Sequence, residues 1–334
     1  MSDGRRRREL SRADRVLPGL WRLRLPLPWP GIPHVNAWAI AAGSGVVLVD
    51  TGLDEPGALR RLEHALDEAR LRLEHVRLLA CTHAHSDHYG EAGPILREAG
   101  CELWMHPNHG HMTKAAADPE RMLERRIEVA RQSGVPADAL ARYESQRRDQ
   151  GVGVADVVLP DRDLVQGVEL DTDLGGWQAY ETPGHAPSHV VLHQPERRLL
   201  LSGDHLLGRV SLYYDYGYTP DPVGEFLGSL DVVDELDIDL VLPGHGRPVR
   251  DAHGLIEANR REVHERIGRV RDAIASGPMT PFDIVPKLVG VEASSQMMVS
   301  WGLSEVLCYL RHLELSGEAS RVEGEEPGRW ALAA

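Results

Sequence analysis

His83-Ala-His85-Ser-Asp87-His88 places four side chains that can bind a metal ion within six residues. The apolar run 76–82 before it predicts a buried strand, and residues 91–99 after it predict the start of a helix. Alternate side chains of an extended segment share a face, so the first two histidines can bind one ion, while the turn directs the aspartate and the third histidine towards a second. A solvated loop without metal is the weaker alternative, because it does not explain this density of ligands.

Three further motifs repeat the combination of a ligand-type residue and a glycine after an apolar run. They are Thr182-Pro-Gly-His185-Ala-Pro-Ser-His189, Leu201-Ser-Gly-Asp204-His205 and Leu242-Pro-Gly-His245-Gly246. Glycine permits tight turns and close approach of the backbone, which lets several loops converge on one small site. The spacing therefore predicts a metal site built from loops at strand ends.

With this box and the downstream His185, Asp204 and His245 in the same order, the chain resembles the metallo-β-lactamase-fold hydrolase superfamily. The stretch Val47-Leu-Val-Asp50-Thr-Gly52 is similar to the early strand-turn motif of the family. Strands that alternate with helices already predict a layered α/β core. The resemblance implies the detail, a four-layer αβ/βα sandwich with the metal site at one edge of two facing sheets.

The resemblance also implies a dinuclear centre with seven ligands. Its first ion would be held by His83, His85 and His185, its second by Asp87, His88 and His245, and Asp204 would bridge the two. Asp87 would in addition be catalytic, because a carboxylate can orient the attacking hydroxide. Three neighbours are expected to hold ligands in place, namely Asp50, His189 and His205.

Neutral imidazoles and carboxylates suit zinc and leave coordination positions open for water, although iron and manganese accept similar ligands. Two such ions would lower the pKa of a bridging water to about 7 and polarise the scissile bond. We expect a zinc-dependent hydrolase that cleaves a small-molecule thioester, ester or lactone with a metal-bridging hydroxide, as in glyoxalase II-like members. The alternatives are a metal-dependent endoribonuclease or phosphodiesterase and, less favoured, a non-enzymatic binding protein on the same fold.

Composition favours a soluble cytoplasmic enzyme. The chain has 334 residues, of which 42% are hydrophobic and 26% charged, and no apolar run is long enough to span a membrane. Residues 1–15 are basic without the apolar stretch of a secretory signal, which predicts a disordered tail. Three cysteines in apolar contexts predict reduced thiols. The net charge of −14 disfavours nucleic acid as a partner and favours a small-molecule substrate.

Residues 16–253 are predicted to form the catalytic domain, with polar helices at 108–150 as an insertion. The insertion could be a lid over the metals or a layer that pads the core. Its arginines alternate with acidic residues, which predicts a solvated face with salt bridges. Residues 254–334, helices followed by a hairpin, predict a winged-helix-like module similar to that of the β-lactamase-like protein 2 branch. We expect this module to give structural support or homodimer contacts.

Four tyrosines follow Asp204 closely and are candidates for the substrate site, since a hydroxyl near the metals could stabilise an oxyanion. They are Tyr213, Tyr214, Tyr216 and Tyr218. Ordinary packing is the alternative for each. Acyl-homoserine-lactone lactonases have a tyrosine three positions after the bridging aspartate, where this chain has Leu207, which weakens the lactonase hypothesis. Four histidines receive no role: His106, His109, His111 and His193.

Overall fold

The computed structural model describes residues 10–29, 31–209, 211–289 and 298–333, and it contains two large sheets. The seven-stranded sheet contains, in spatial order, β1 (Arg12–Leu17), β2 (Leu20–Trp29), β3 (Ile32–Ala42), β4 (Gly45–Val49), β5 (Val76–Ala80), β6 (Glu102–Met105) and β7 (Arg162–Asp163). The five-stranded sheet contains β8 (Glu169–Thr172), β9 (Gly175–Glu181), β10 (Val190–Gln194), β11 (Leu199–Gly203) and β12 (Leu240–Pro243), and β12 lies at the opposite edge from β8.

The helices cover the outer faces of the sheets and form the C-terminal region. They are α1 (Ala58–Glu68), α2 (Ser86–Tyr89), α3 (Ala92–Ala99), α4 (Gly110–Ala117), α5 (Pro119–Gln132), α6 (Ala137–Asp149), α7 (Pro222–Asp234), α8 (Ala252–Ala275), α9 (Pro281–Val289) and α10 (Leu303–Leu315). Short helical turns occur at Leu73–His75, Pro107–His109 and Met298–Gly302, and β13 (Ala319–Arg321) pairs with β14 (Trp330–Leu332).

Strand parity explains the layering, because successive side chains of a strand point to opposite faces of its sheet. In β4, Val47 and Val49 pack against the second sheet, whereas Val46 and Leu48 pack under the helices on the other face. A third apolar cluster lies between the five-stranded sheet and the helices that cover it. Three apolar interfaces separate four layers, and the αβ/βα sandwich predicted from the sequence is confirmed.

The directions of the strands bring the predicted ligand loops to one edge. β4 runs parallel to β5, and β11 runs parallel to β12. Because β10 is antiparallel to both β9 and β11, the end of β9 lies at the same edge as the end of β11. A bond from Val190 N to Thr82 O, of 2.8 Å, joins the two sheets beside these loops.

The predicted disordered tail is wrong for its described part. Residues 1–9 lie outside the described residues, but Arg12–Leu17 forms the edge strand β1. Its polar residues have partners, since Asp14 accepts a 2.5 Å bond from Arg22 and Ala13 N donates to Glu68 at 2.8 Å. Charged side chains are well tolerated on an edge strand, which is why basic composition misled the prediction.

The C-terminal helices and hairpin share one apolar cluster with the rest of the molecule. Val263, Ile284 and Tyr309 belong to the same cluster as Phe226 of α7 and Leu123 of α5. The insertion and the C-terminal helices are therefore in direct contact. The winged-helix-like module and the homodimer remain predictions. In the part of the chain that the structure describes, none of the helices has the length and apolar character needed to cross a membrane.

Candidate metal centre

Seven histidine and aspartate side chains converge where the ends of β5, β9, β11 and β12 meet. The structure brings together all seven residues that the resemblance named as ligands, which are His83, His85, Asp87, His88, His185, Asp204 and His245. They are mostly buried; His85 and His245, whose side chains are each 13% exposed, are the most accessible. The convergence forms a candidate site for divalent metal ions.

One part of the site contains only imidazoles, and we call His83, His85 and His185 the histidine half. His85 Nδ1 lies 3.0 Å from His83 Nε2 and 3.0 Å from His185 Nε2. Three neutral imidazole nitrogens that face one point at this spacing can bind a single ion.

The other part contains Asp87, His88 and His245, and we call it the aspartate half. His245 Nε2 lies 3.2 Å from Asp87 Oδ2, and His88 Nε2 lies 3.6 Å from the same oxygen. Asp204 lies between the halves: its Oδ1 is 3.3 Å from His88 Nε2, and its Oδ2 is 3.3 Å from His245 Nε2 and 3.7 Å from His185 Nε2. Its carboxylate thus reaches both halves.

Hydrogen bonds on the far side of each ring direct the free nitrogens inward. His185 Nδ1 donates to Tyr213 O at 3.1 Å, and His245 Nδ1 donates to His34 O at 2.9 Å. A carbonyl oxygen only accepts, so these Nδ1 atoms carry protons and Nε2 is the ring nitrogen that each histidine directs to the site. Metal-binding histidines are usually held in this way.

Asp50 anchors the aspartate half from the end of β4. Its Oδ2 lies 2.9 Å from His88 Nδ1, and its Oδ1 accepts a 2.8 Å bond from Thr82 N. Asp50 has a positive φ of 65°, a conformation that is uncommon outside glycine but better tolerated by aspartate. The strained turn aims the carboxylate at the histidine and at the strand that precedes the ligand box.

His189 holds the backbone of Asp204 in place. Thr182 Oγ1 lies 2.8 Å from His189 Nδ1, and His189 Nε2 accepts a 3.0 Å bond from the backbone N of Asp204. His205 packs against Phe226 with ring centroids 4.9 Å apart and lies next to His189, at 6.2 Å between ring centroids. The supporting role expected for His205 remains a prediction.

The two halves differ electrostatically. Burial, followed by the charge of His85, lowers the pKa of His185 to about 4, and burial also lowers the pKa of His83 well below its usual value. Burial opposes protonation in the aspartate half as well, but the carboxylates of Asp204 and Asp87 outweigh it and raise the pKa of His245 to about 10. The same effects raise the pKa of His88.

The donor set fits bound divalent cations. His88 Nε2 and Asp204 Oδ1 face each other 3.3 Å apart at the buried centre of the cluster, and neither makes a well-formed hydrogen bond in the described structure. Buried polar atoms without well-formed hydrogen bonds are costly, and an ion between the two would satisfy both. Gly244 keeps this space open, because a Cβ there would clash with the Asp204 carboxylate and lie 2.7 Å from His88 Cε1.

Sequence reasoning missed a second set of residues that holds His85. Asp215 Oδ2 lies 2.8 Å from His85 Nε2 and 2.9 Å from His111 Nδ1, and Asp215 Oδ1 accepts a 3.1 Å bond from the hydroxyl of Tyr213. His111 Nε2 lies 2.8 Å from Ser188 Oγ. A lone histidine in a helix and a lone aspartate between tyrosines carry no spacing signal, so only the folded structure identifies them.

The four candidate tyrosines separate into two groups. Tyr213 lies beside the histidine half, with its ring centroid 5.7 Å from that of His85, and Tyr218 lies 5.9 Å from that of His111. Tyr214 is fully buried and packs on Phe226 and Tyr309, which favours the packing alternative for this residue. Tyr216 packs at the edge of the same core cluster.

Of the histidines without an assigned role, three remain outside the site. His106 Nε2 lies 2.7 Å from Glu181 Oε1, His109 Nδ1 lies 2.9 Å from Thr113 Oγ1, and His193 Nε2 lies 3.1 Å from Asp237 O. These contacts stabilise loops and strand ends.

Comparison with known proteins supports this description. The chain is 26% identical over 304 residues to the probable metallo-hydrolase YqjP of Bacillus subtilis (strain 168), covering 87% of this chain and 91% of that protein. It is 23% identical over 239 residues to a β-lactamase-like protein 2 homolog of Caenorhabditis elegans, covering 72% and 64%. The crystal structure of a metallo-β-lactamase family protein from Thermus thermophilus superposes with a TM-score of 0.80 at 27% identity, over 95% of this chain and 99% of that one.

The model of the metallo-β-lactamase superfamily matches residues 30–245. That range contains all seven converging side chains, from His83 to His245. The chain therefore belongs to the metallo-β-lactamase superfamily of metallo-hydrolases, and the histidine and aspartate cluster is its candidate metal centre.

Proposed function

We propose that this protein is a dinuclear zinc hydrolase that cleaves a small-molecule thioester, ester or lactone. The observation that carries the proposal is the convergence of two three-residue half-sites on one shared carboxylate, Asp204. The histidine half would hold one ion and the aspartate half the other. Bound there, two zinc ions would act as Lewis acids and lower the pKa of a water molecule.

The chain's own residues would orient the nucleophile and limit the space around it. The Asp87 carboxylate is buried and faces the site beside His245 Nε2, where it can accept a hydrogen bond from the attacking water. The Tyr213 hydroxyl already donates a hydrogen bond to Asp215, so it would not be free to stabilise an oxyanion. The ring of Tyr213 would instead line the substrate pocket.

The insertion favours a small substrate. His111 of α4 is buried and contacts both Asp215 and Ser188 beside His85, so the first helix of the insertion packs directly on the histidine half. We propose that residues 108–150 act as a roof that shapes the pocket, rather than as padding. A buried centre under a roof, in a chain of net charge −14, is better suited to a small molecule than to a folded nucleic acid. The cytoplasmic location remains a prediction based on the three free cysteines.

The test combines metal analysis with a substrate panel. Protein purified under metal-retaining conditions is analysed by mass spectrometry and then assayed with thioesters, aryl esters, lactones, phosphodiesters and single-stranded RNA. We expect two zinc ions per chain and cleavage of acyl bonds, lost in His85→Ala and kept in His253→Ala, a control whose side chain is 76% exposed.

Two outcomes would contradict the proposal. Cleavage of RNA or phosphodiesters alone would replace it with the nuclease alternative. A finding that the purified protein neither contains nor binds metal would contradict the metal-dependent mechanism.

A further inference from the structure

His111 of α4 connects the insertion to the ligand box at two points. The residue is 6% exposed, and its ring contacts the rings of Tyr218 and His85, at 5.9 and 5.4 Å between centroids. His111 Nδ1 lies 2.9 Å from Asp215 Oδ2, and His111 Nε2 lies 2.8 Å from Ser188 Oγ. Both ring nitrogens are therefore in use, and each contact leads to a different part of the box.

The first contact leads to the side chain of His85. Asp215 Oδ2 also lies 2.8 Å from His85 Nε2, and Asp215 Oδ1 accepts a 3.1 Å bond from the Tyr213 hydroxyl. An ionised carboxylate only accepts hydrogen bonds, so His85 carries a proton on Nε2 and directs Nδ1 to the metal site. Of the three groups that donate to Asp215, only His111 belongs to the insertion.

The second contact leads to the backbone of the box. Ser188 Oγ accepts a 3.1 Å bond from the backbone N of Ala84, the residue before His85. A hydroxyl that accepts from an amide still has its own proton to donate, and His111 Nε2 lies within its reach. His111 then accepts on Nε2 and donates from Nδ1, as a neutral imidazole does. Burial lowers the pKa of His111 despite the hydrogen bond to Asp215, which agrees with a neutral ring.

Ser188, His111 and Asp215 have the connectivity of a serine-hydrolase triad, since a hydroxyl faces Nε2 and a carboxylate faces Nδ1 of one histidine. A nucleophilic serine must reach its substrate, but Ser188 is fully buried and its oxygen already accepts from Ala84 N. The Asp215 carboxylate is moreover shared with His85. The arrangement therefore holds a metal ligand and its loop instead of activating a nucleophile.

We propose that His111 is a positioning residue that couples the docking of α4 to metal binding in the histidine half. Through Asp215, a docked His111 limits rotation of the His85 ring and keeps its Nδ1 directed at the ion. Such coupling is reciprocal, so the docked helix raises affinity for the ion and the ion stabilises the docked helix by the same factor. The inference rests on the metal centre of the proposed function and is independent of the substrate.

Two isosteric variants separate the two contacts of His111. Asparagine can place its amide nitrogen near the position of Nδ1 and donate to Asp215, whereas glutamine reaches the position of Nε2 and can accept from Ser188. We expect zinc affinity in the histidine half to fall about tenfold in His111→Ala and in His111→Gln, and to be largely retained in His111→Asn. Competition with a chromophoric chelator measures this affinity in a His245→Ala background, which leaves the ligands of the histidine half intact.

Two controls exclude a general loss of folding. His109→Ala removes a neighbouring histidine whose Nδ1 contacts Thr113 of the same helix, and it should leave the zinc affinity unchanged. In a His85→Ala background, which retains the ligands of the aspartate half, His111→Ala should also leave the affinity unchanged, because the proposed coupling passes through His85.

Hydrogen exchange measures the same coupling from the side of the helix. Zinc added to the His245→Ala protein should slow the exchange of backbone amides in α4. The additional change His111→Ala should abolish this protection, whereas His109→Ala should keep it.

The outcomes distinguish this inference from the proposed function. If the affinity and protection patterns hold but no thioester, ester or lactone is cleaved, the proposed function fails and the coupling stands. If acyl bonds are cleaved but His111→Ala changes neither the zinc affinity nor the protection of α4, the coupling is overturned and the proposed function stands. Equal losses of affinity in His111→Asn and His111→Gln would also overturn it, since the effect would not depend on the Asp215 contact.

Discussion

The histidine half and the aspartate half come largely from one six-residue box, yet they differ in charge and in support. His83 and His185 have lowered pKa values and are neutral near pH 7, whereas His88 and His245 lie against carboxylates that raise theirs. In the first half only His85, whose pKa is raised by Asp215, has a proton to lose before a cation binds, whereas the second half has the stronger negative field but two histidines with raised pKa values. Neighbouring ligands on one loop can therefore be chemically different sites.

Removing the residue that the halves share should have the largest effect. Asp204→Ala deletes the carboxylate that lies between His88, His185 and His245. We expect metal content to fall in both halves and hydrolysis to drop on the order of a thousandfold, since the charge stabilisation of the transition state depends on the ions. Mass spectrometry and kinetics on the same sample measure both. Asp138→Ala, at a side chain 70% exposed, is the control, and full activity in Asp204→Ala would refute the site.

Single ligand deletions should separate the halves. His85→Ala is expected to lower metal content from two ions to one by emptying the histidine half, and His245→Ala to do the same in the aspartate half, because each removes one of the few protein ligands of its ion. Metal titration followed by mass spectrometry measures the stoichiometry. Loss of both ions in either variant would show that the halves do not bind independently.

Changes behind the ligands should have a smaller effect. Asp215→Asn alters the partner of His85, and Asp50→Asn alters the partner of His88, without touching the ligand set. We expect each to weaken binding in its own half by about 10- to 100-fold, the usual effect of removing the group that holds a metal-binding histidine. Competition with a chelator measures the affinity of each ion. Equal weakening of both ions by both variants would contradict the separation.

The pH dependence of metal affinity should also differ between the two halves, and this is the smallest of the expected effects. With the pKa of His245 at about 10 and that of His88 also raised, metal must displace protons from the aspartate half at pH 7, so its apparent affinity should rise with pH up to about 10. His83 and His185 are already deprotonated, which leaves only His85, whose pKa Asp215 raises against burial, to release a proton.

Calorimetry in two buffers of different ionisation enthalpy counts the released protons. The His85→Ala protein, which retains the aspartate half, should release more protons per ion than the His245→Ala protein. An equal number in the two variants would mean that the carboxylates do not set the protonation of their histidines.

Sequence reasoning succeeded where ligands follow strands. The box after β5 and the glycine loops around His185, Asp204 and His245 are local patterns, so both the fold family and the convergence of the seven side chains could be anticipated. It failed for Arg12–Leu17, because a charged edge strand has the composition of a tail. It left Tyr214 open between substrate contact and packing, because the direction of this side chain depends on contacts with Phe226 and Tyr309.

By itself, the amino-acid sequence determined the ligand types, their order and the glycines that let their loops approach. Only the tertiary structure decided which groups hold the ligands from behind, such as Asp215 and His111 beside His85. The physical reason is that ligand motifs are encoded by short-range spacing and backbone turns. The contacts of isolated charged residues are set by packing between segments that are distant in the chain.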